Sequence, residues 1–285
     1  HVYDDYAYTI SKNDPHDYNF LSPIKDFWVS LCSLSKKSEP GKASLLDTKA
    51  MVYTIGVSFS IELLLKALYE ETVGRIFTIL RGEQLSAMDQ SSAVQASHYA
   101  KFLQQAPWYQ WDFISDLQTI KDSNTGSLRD SERSIALGIE YTAKAKYARV
   151  IANAVASTGF DKLVLNTIVE GITAADLVKI NGLKVISENN GQIEIETPRY
   201  RAFTLIAKEI AYLGGDFVEI SGNDDILLTA ISNDENTGDS IMSYQRQGYL
   251  DYRHLITLKV SDLNEYLRRA TTMGQGLSIE HIHDY

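Results

Sequence analysis

The segment Thr197-Pro198-Arg199-Tyr200-Arg201 joins a hydroxyl group and two guanidinium groups at a predicted helix start. Thr197 is a favourable N-cap residue, and Pro198 suits the first helical turn. Backbone N–H groups at a helix N-terminus attract anions, and guanidinium groups bind carboxylate or phosphate oxygens in pairs. We therefore predict that Thr197, Arg199, Tyr200 and Arg201 bind an acidic small molecule or an acidic protein partner. The structural alternative is that the arginines pair with nearby acids, namely Glu194, Glu196 or Asp216.

Glu62 and Lys66 lie four residues apart in the most apolar stretch of the chain. A buried charge is costly without a partner, so both side chains are expected to meet opposite charges. Arg133, Glu140 and Lys144 occur at helical spacing in a later segment and can supply those charges. Such a network either links two helices or lines a polar pocket. In the second case Glu62 would be the general base of a hydrolase-type enzyme, with Lys66 and Arg133 beside it.

Three histidines in the C-terminal part of the chain are candidate metal ligands. His281 and His283 lie two residues apart on a predicted strand, so their side chains point the same way. His254 on a neighbouring predicted strand could supply a third ligand, and the hydrolase would then be metal-assisted. Two ligands do not make a metal site, so we expect a solvated terminal strand, with no metal or other cofactor.

Composition narrows the function classes. The formal net charge is −10, and no block of Lys and Arg residues occurs, which disfavours nucleic acid as a partner because phosphates need a basic face. The chain has no P-loop, no Gly-x-Gly-x-x-Gly, no Gly-x-Ser-x-Gly, no His-Glu-x-x-His and no cysteine pair. The missing catalytic motifs favour a binding protein over an enzyme.

No apolar run reaches the ~18 residues that a membrane span requires, so we expect no transmembrane segment in this chain. The most apolar stretch, residues 51–68, is interrupted by Glu62 and Lys66. The sequence starts at His1, and its loops are rich in Tyr and Asn. These features lead us to expect a periplasmic or cell-envelope protein of a bacterium, with the cytoplasm as the alternative location.

The N-terminal part reads as helical. Apolar residues recur every three to four positions in residues 20–34, 45–80, 86–105 and 127–156. Residues 1–19 are polar and are expected to form an extended arm. The first domain is therefore predicted at residues 1–158, and a helical connector at residues 159–182.

The C-terminal part alternates apolar and polar residues from residue 183 onward. Asn189-Asn190-Gly191 and Gly222-Asn223-Asp224-Asp225 are typical of hairpin turns. Two helices are predicted, at residues 198–213 and 262–273, and a long polar loop at residues 232–248. The order of elements predicts a ferredoxin-like α+β domain at residues 183–285.

The order of elements in residues 183–285 resembles that of ACT-type regulatory domains. The ending Gly276-Leu277-Ser278-Ile279-Glu280-His281-Ile282 is similar to the last strand of such domains. The resemblance covers about a third of the chain, includes no specific ligand motif and implies the ferredoxin-like fold alone.

Ser60-Ile61-Glu62-Leu63-Leu64-Leu65-Lys66-Ala67-Leu68, with Ser97-His98-Tyr99 further on, resembles HEPN-type helical domains. The ribonuclease members of that group carry an Arg shortly before a His in a late helix. The late helix of this chain has no His, and its arginines are Arg129, Arg133 and Arg149. The resemblance therefore implies a helical fold and does not imply nuclease activity.

These features together predict an α+β fold, with an N-terminal all-helical bundle followed by a ferredoxin-like β-sheet backed by two helices. The expected function is that of a non-catalytic binding or interaction protein, whose C-terminal domain recognises an acidic ligand or partner. An oligomer is compatible with this function. The hydrolase with its polar pocket in the helical domain is the alternative.

Overall fold

The computed structural model describes residues 2–37, 45–158, 163–272 and 276–283. The chain divides into two compact units. The helical unit comprises His1–Leu103, Pro107–Ser157 and Gln247–Tyr249, and the α+β unit comprises Gln104–Ala106, Thr158–Arg246 and Leu250–Tyr285. Within the described residues, no helix is both long and apolar enough to cross a membrane.

The helical unit contains seven named helices among its described residues. They are α1 (Val2–Ile10), α2 (Leu21–Lys37), α3 (Leu45–Tyr69), α4 (Arg75–Arg81), α5 (Ala87–Leu103), α6 (Phe113–Ser123) and α7 (Leu128–Thr158). The expected extended arm at residues 1–19 is wrong, because α1 occupies half of it. Tyr6 and Ile10, four residues apart, are buried on one face of α1 and pack with Tyr18 and Phe20. This apolar face holds the segment in a helix despite its polar composition.

A π turn, Glu70–Gly74, separates α3 from α4. A π turn adds one residue to a helical turn and shifts the phase of everything that follows. Gly74 permits it, since a Cβ atom there would lie 2.3 Å from Glu70 Oε2. The predicted continuous helix over residues 45–80 is therefore two helices with a defined phase change between them.

The α+β unit begins earlier than predicted. It contains β1 (Val164–Glu170), α8 (Ala174–Leu177), β2 (Lys184–Asn189), β3 (Gln192–Pro198), α9 (Tyr200–Tyr212), β4 (Asp216–Ile220), β5 (Asp225–Ser232), β6 (Ser240–Gln245), β7 (Tyr252–Lys259), α10 (Leu263–Thr272) and β8 (Ser278–His283). The helical connector expected at residues 159–182 is wrong over β1, whose buried residues alternate along the strand. The polar loop expected at residues 232–248 contains β6.

The α+β class is confirmed, with helices followed by antiparallel strands. The eight strands form two four-stranded sheets, in the orders β2-β3-β1-β4 and β6-β7-β5-β8. The first of the two predicted hairpin turns joins the paired strands β2 and β3. The second predicted hairpin is wrong, because β4 and β5 lie in different sheets. The second of these turns leads the chain from one sheet into the other, so the single predicted sheet becomes two.

One apolar cluster fills the interior of the α+β unit. It draws Ile193 and Ile195 from β3, Phe203 and Ile210 from α9, and Leu228 from β5, each at most 1% exposed. Helix α9 is strongly amphipathic, with its apolar face in this cluster and its other face in solvent. The exposed face of α9 is where the predicted ligand-binding arginine Arg201 lies.

Candidate functional site

The charged pairs predicted in the helical unit are present and form one line between α3 and α7. We call this line the charged seam; its members are Glu62, Lys66, Glu70, Arg129, Arg133, Glu140 and Lys144. The partners run in opposite order along the two helices, so α3 and α7 are antiparallel. The residues of α3 and the π turn are spaced by four, which places them on one helical face.

At one end of the seam, two lysines and two glutamates alternate. Lys144 Nζ lies 2.8 Å from both Glu62 Oε1 and Glu140 Oε1, and Lys66 Nζ lies 3.0 Å from Glu140 Oε1. The Tyr3 hydroxyl donates to Glu62 Oε1 at 3.2 Å. Glu62 is thus held in an ion pair with Lys144. This arrangement matches the predicted interhelical network, and it does not match a general base that faces a substrate.

At the other end of the seam, the π turn provides the partner for Arg133. Arg133 Nη1 lies 2.6 Å from Glu70 Oε1, and both side chains are at most 6% exposed. Arg133 is placed on the same seam as Glu62 and Lys66, although its direct partner is a residue that the sequence pattern did not indicate. The signal that could have found Glu70 is its spacing of four from Lys66 and eight from Glu62.

The pKa values of three seam residues, Glu140, Lys66 and Lys144, are shifted in the direction that keeps each of them charged at neutral pH. Burial acts to raise the pKa of Glu140, but the charges of Lys144 and Lys66 lower it by a larger amount. The resulting pKa is about 2. Burial lowers the pKa of Lys66, but Glu140 raises it, and the net shift is upward. The pKa of Lys144 is raised well above its usual value by Glu140 and Glu62, against the effect of burial. A general base needs a pKa near the working pH, and these groups are displaced from it.

A small cavity of about 30 Å³ lies beside the seam. Its lining includes Lys66, Lys144, Tyr99, Asp116 and Glu140. This volume holds roughly two water molecules at most, whereas small-molecule sites span roughly 300–1,000 Å³. Burial raises the pKa of Asp116, while the Trp111 indole N–H, 2.6 Å from Asp116 Oδ2, lowers it, and the net shift is upward. The cavity suits buried water better than a substrate.

An arginine cluster that the sequence pattern does not predict extends the seam. Arg129 Nη2 lies 2.9 Å from Asp89 Oδ1, and Arg129 Nη1 lies 2.8 Å from Glu132 Oε2. Arg81 joins Asp89 to Asp14, at 2.6 and 2.8 Å. All of these groups except Asp14 are less than 9% exposed. The acids come from three separate segments of the chain, so these ion pairs could not be predicted from the spacing of residues along the sequence.

In the α+β unit, the predicted ligand-binding residues differ in burial: Thr197 is buried, Arg199 and Tyr200 are half-buried, and Arg201 is exposed. Thr197 is in β3, 1% exposed, and its hydroxyl faces the interior, so the expected N-cap role is wrong. Arg199 is the N-cap residue of α9, and its guanidinium lies 5.4 Å from the centre of the Tyr200 ring. Tyr200 has a positive φ of 63°, which is uncommon for a residue with a side chain.

Arg201 lies on the exposed face of α9. Its Nη1 donates to Gln104 Oε1 at 2.9 Å, within the same unit. The three acids proposed as structural partners of the arginines have other contacts. Glu196 pairs with Lys184, Asp216 pairs with Arg268, and Glu194 accepts hydrogen bonds from Asn166 and Ser187.

Lys208, two turns along α9, was missed by sequence reasoning. Its Nζ donates to the Ile279 carbonyl oxygen at 2.8 Å. Burial lowers the pKa of Lys208, and the charge of Arg201 lowers it further. Among the described residues, neither Arg201 nor Lys208 forms an ion pair. The spacing of seven from Arg201 to Lys208 was the signal, since it places both on one helical face.

The three histidines do not converge. The His281 and His283 rings are neighbours, with centroids 4.6 Å apart, as their spacing predicted. His254 is opposite Ala230 on β5 whereas His281 is opposite the adjacent Thr229, so His254 is on the other face of the sheet. Its two ring nitrogens each lie 2.8 Å from a serine hydroxyl, those of Ser232 and Ser243. In the part of the chain that the structure describes, no three His, Cys, Asp or Glu side chains form a metal-binding group.

Comparison of the chain with protein-family models, with curated proteins and with solved structures gives no match.

Proposed function

We propose that this chain is a non-catalytic interaction protein, and that its α+β unit recognises an acidic partner through the exposed face of α9. The recognition surface consists of Arg201, Leu205, Lys208 and Tyr212, which follow one another at helical spacing. We call it the α9 face. Arg199, at the start of the helix, lies next to it in sequence.

The observation that carries this proposal is a pair of like charges without a described carboxylate partner. Arg201 is close enough to Lys208 to lower its pKa, which means that each cation destabilises the other. An anionic group bound near both would relieve this repulsion, and guanidinium groups hold carboxylates with paired hydrogen bonds. The energetic gain is available only when an acidic partner binds.

The shape of the α9 face favours a peptide segment over a small ion. From Arg201 to Tyr212 the face is about 17 Å long, at about 1.5 Å per residue. Leu205 is 53% exposed and Tyr212 is 78% exposed, so apolar surface lies between and beyond the cations. A partner with two or more acids and an apolar side chain between them would complement this order.

The proposal is tested with a labelled hexaglutamate peptide and fluorescence anisotropy, on the whole chain at low salt. The parent is expected to bind, and Arg201→Gln/Lys208→Gln to bind at least tenfold more weakly. Lys179→Gln/Lys184→Gln is the matched control, since it removes two exposed positive charges from the same unit. It is expected to change the Kd by less than twofold. A parent that does not bind, or an equal loss in both variants, would overturn the proposal.

The hydrolase alternative has less support. Its candidate base Glu62 is ion-paired with Lys144, and the neighbouring cavity has room for little more than water. The bacterial envelope is kept as the proposed location on the composition of the chain alone. Cell fractionation of the native gene product would test it, and a purely cytoplasmic distribution would contradict it.

A further inference from the structure

A second surface, on the helical unit, carries a different inference. Among the described residues of α3, α4 and α7, eleven leucine and isoleucine side chains are between 48% and 73% exposed, and nine of them form this surface. We call this surface the apolar face. Its members are Ile61, Leu64, Leu65, Leu68, Ile76, Ile79, Leu80, Ile135 and Ile139. Single exposed apolar residues are ordinary, but contiguous patches mark interaction sites.

The charged seam shows that the α3 and α7 parts of this face are contiguous. Leu65 directly precedes Lys66, and Ile139 directly precedes Glu140, and the ion pair Lys66–Glu140 joins the two helices. In an antiparallel helix pair, the residues preceding two partners turn toward the same side of the contact, because each helix turns about 100° per residue. Leu65 and Ile139 therefore flank the seam on one side, with Ile135 one turn further along α7.

The π turn brings α4 onto the same face. Ile61, Leu65 and Leu68 define the exposed line along α3, and a regular helix would continue it near positions 72, 75 and 79. The extra residue of the π turn moves these positions on by one, to Val73, Ile76 and Leu80, which are 38%, 58% and 64% exposed. The phase change thus keeps the apolar residues of α3 and α4 aligned.

The area of the apolar face matches half of a homodimer interface. A fully exposed Leu or Ile side chain presents on the order of 100 Å² of apolar surface, so nine at their observed exposure present roughly 500 Å². A standard interface buries about 800 Å² per partner, and in homodimers about 65% of it is apolar, which is about 500 Å².

The charges next to the face also fit a second copy. Between Leu68 and Ile76 the exposed charged side chains are Glu71 and Arg75, and they pair with each other at 2.5 Å. An acid and a base side by side are self-complementary across a two-fold axis, where each can face its opposite. They add no net charge to the face, although the whole chain carries −10.

We propose that the apolar face is a two-fold interface between two copies of this chain. The occupant is a second copy because the face is uncharged on balance and self-complementary, and because its area of roughly 500 Å² is of the size that one partner of a homodimer contributes. This inference is independent of the acidic partner proposed for the α9 face, which is on the other unit.

Sedimentation velocity of the full chain tests the interface. The parent is expected to sediment as a dimer at 20 µM, and Leu65→Lys/Ile139→Lys as a monomer, with a Kd raised at least 100-fold. Both side chains are more than 60% exposed, so the fold should tolerate the lysines. Val178→Lys/Leu250→Lys is the matched control, because it changes two apolar residues of the α+β unit that are 63% and 92% exposed, and it should leave the dimer intact.

Far-UV circular dichroism of each variant shows whether its helices are kept. If Leu65→Lys/Ile139→Lys loses helix content, the milder Ile79→Asn, at a residue 73% exposed, takes its place and is expected to weaken the dimer at least tenfold. A parent that is monomeric at 100 µM would overturn the inference and assign the face to a different protein. A dimer with the same Kd in the parent and in the folded face variants would also overturn it.

Discussion

The two units distribute polarity in opposite ways. In the α+β unit, one apolar cluster fills the interior, and the exposed face of α9 carries charges. In the helical unit, charged side chains such as Arg133 and Glu70 are almost fully buried between α3 and α7, while leucines and isoleucines of the same helices face solvent. The apolar residues of the α+β unit form a core within that unit, whereas the helical unit exposes apolar helix surface to solvent.

This contrast shows what a buried ion pair contributes to the helical unit. Such pairs rarely add stability relative to apolar residues, but they fix register, because a shifted helix would leave charges unpaired. The charged seam pairs three positions of α3 and the π turn, Glu62, Lys66 and Glu70, with three positions of α7, Lys144, Glu140 and Arg133. We infer that its main effect is to hold the helices at the offset that aligns the apolar face.

Breaking the seam at its most buried pair should have the largest effect. Arg133→Met leaves the Glu70 carboxylate buried without its partner, so we expect a loss of about 3–5 kcal/mol in the free energy of unfolding. Arg133→Met/Glu70→Met should recover most of that loss. Urea unfolding followed by tryptophan fluorescence measures it, since Trp28, Trp108 and Trp111 all belong to the helical unit. A double variant as unstable as the single would contradict the pairing.

Acid should weaken the helical unit through Glu140. Its folded pKa of about 2 lies below the ordinary 4.5, so its contribution is complete above pH 4.5 and is lost as the pH falls toward 2. The loss should reach roughly 3 kcal/mol at most. Urea midpoints between pH 6 and pH 3 check this. At pH 6 the free energy of unfolding of Glu140→Gln should be lower than that of the parent, and it should depend less on pH. An unchanged pH dependence would show that other acids are responsible.

The π turn offers a smaller perturbation. Gly74→Ala places a Cβ atom 2.3 Å from Glu70 Oε2, so we expect a loss of about 1–3 kcal/mol. Gly138→Ala on α7 is the control, because no atom lies within 4 Å of its new Cβ. There the gain in helix propensity should stabilise by about 0.5–1 kcal/mol. Both variants are measured by the same tryptophan-detected unfolding. Equal changes in their free energies of unfolding would show that a Cβ atom at position 74 does not clash with Glu70.

The smallest expected effect is in the α+β unit, at Tyr200. Its positive φ strains the backbone, so Tyr200→Gly should stabilise by about 0.5–1 kcal/mol, after the loss of the ring contact with Arg199. Thermal unfolding by circular dichroism, with Asn190→Gly as control, measures it. Asn tolerates a positive φ and should gain less. A destabilised Tyr200→Gly would mean that the ring contact outweighs the strain.

The sequence was sufficient where a physical constraint is local. Burial of Glu62 and Lys66 on the most apolar helix required partners, and Glu140 and Lys144 are those partners. The partner of Arg133 depends on the π turn, which propensity alone does not reveal.

Misassigned elements have similar causes. Strand β1 is a short apolar run, and such a run cannot be told from a buried helix by its period. Helix α1 lies in a segment with many polar residues, and its buried face is defined by packing against Tyr18, Phe20 and α5, which the local sequence does not show. The two cations of the α9 face, Arg201 and Lys208, could have been predicted from their spacing of seven residues. The contact of Lys208 with the Ile279 carbonyl could not have been predicted, because it joins segments that are distant in sequence.

The most direct test of the contrast between the units is tryptophan-detected urea unfolding of the parent at 0.5 and 50 µM. If the helical unit completes its burial with a second copy, the higher concentration should raise its free energy of unfolding by up to about 2.7 kcal/mol, and its urea midpoint with it. Identical midpoints at the two concentrations would show that the helical unit is stable alone, and the account of its exposed apolar face would be wrong.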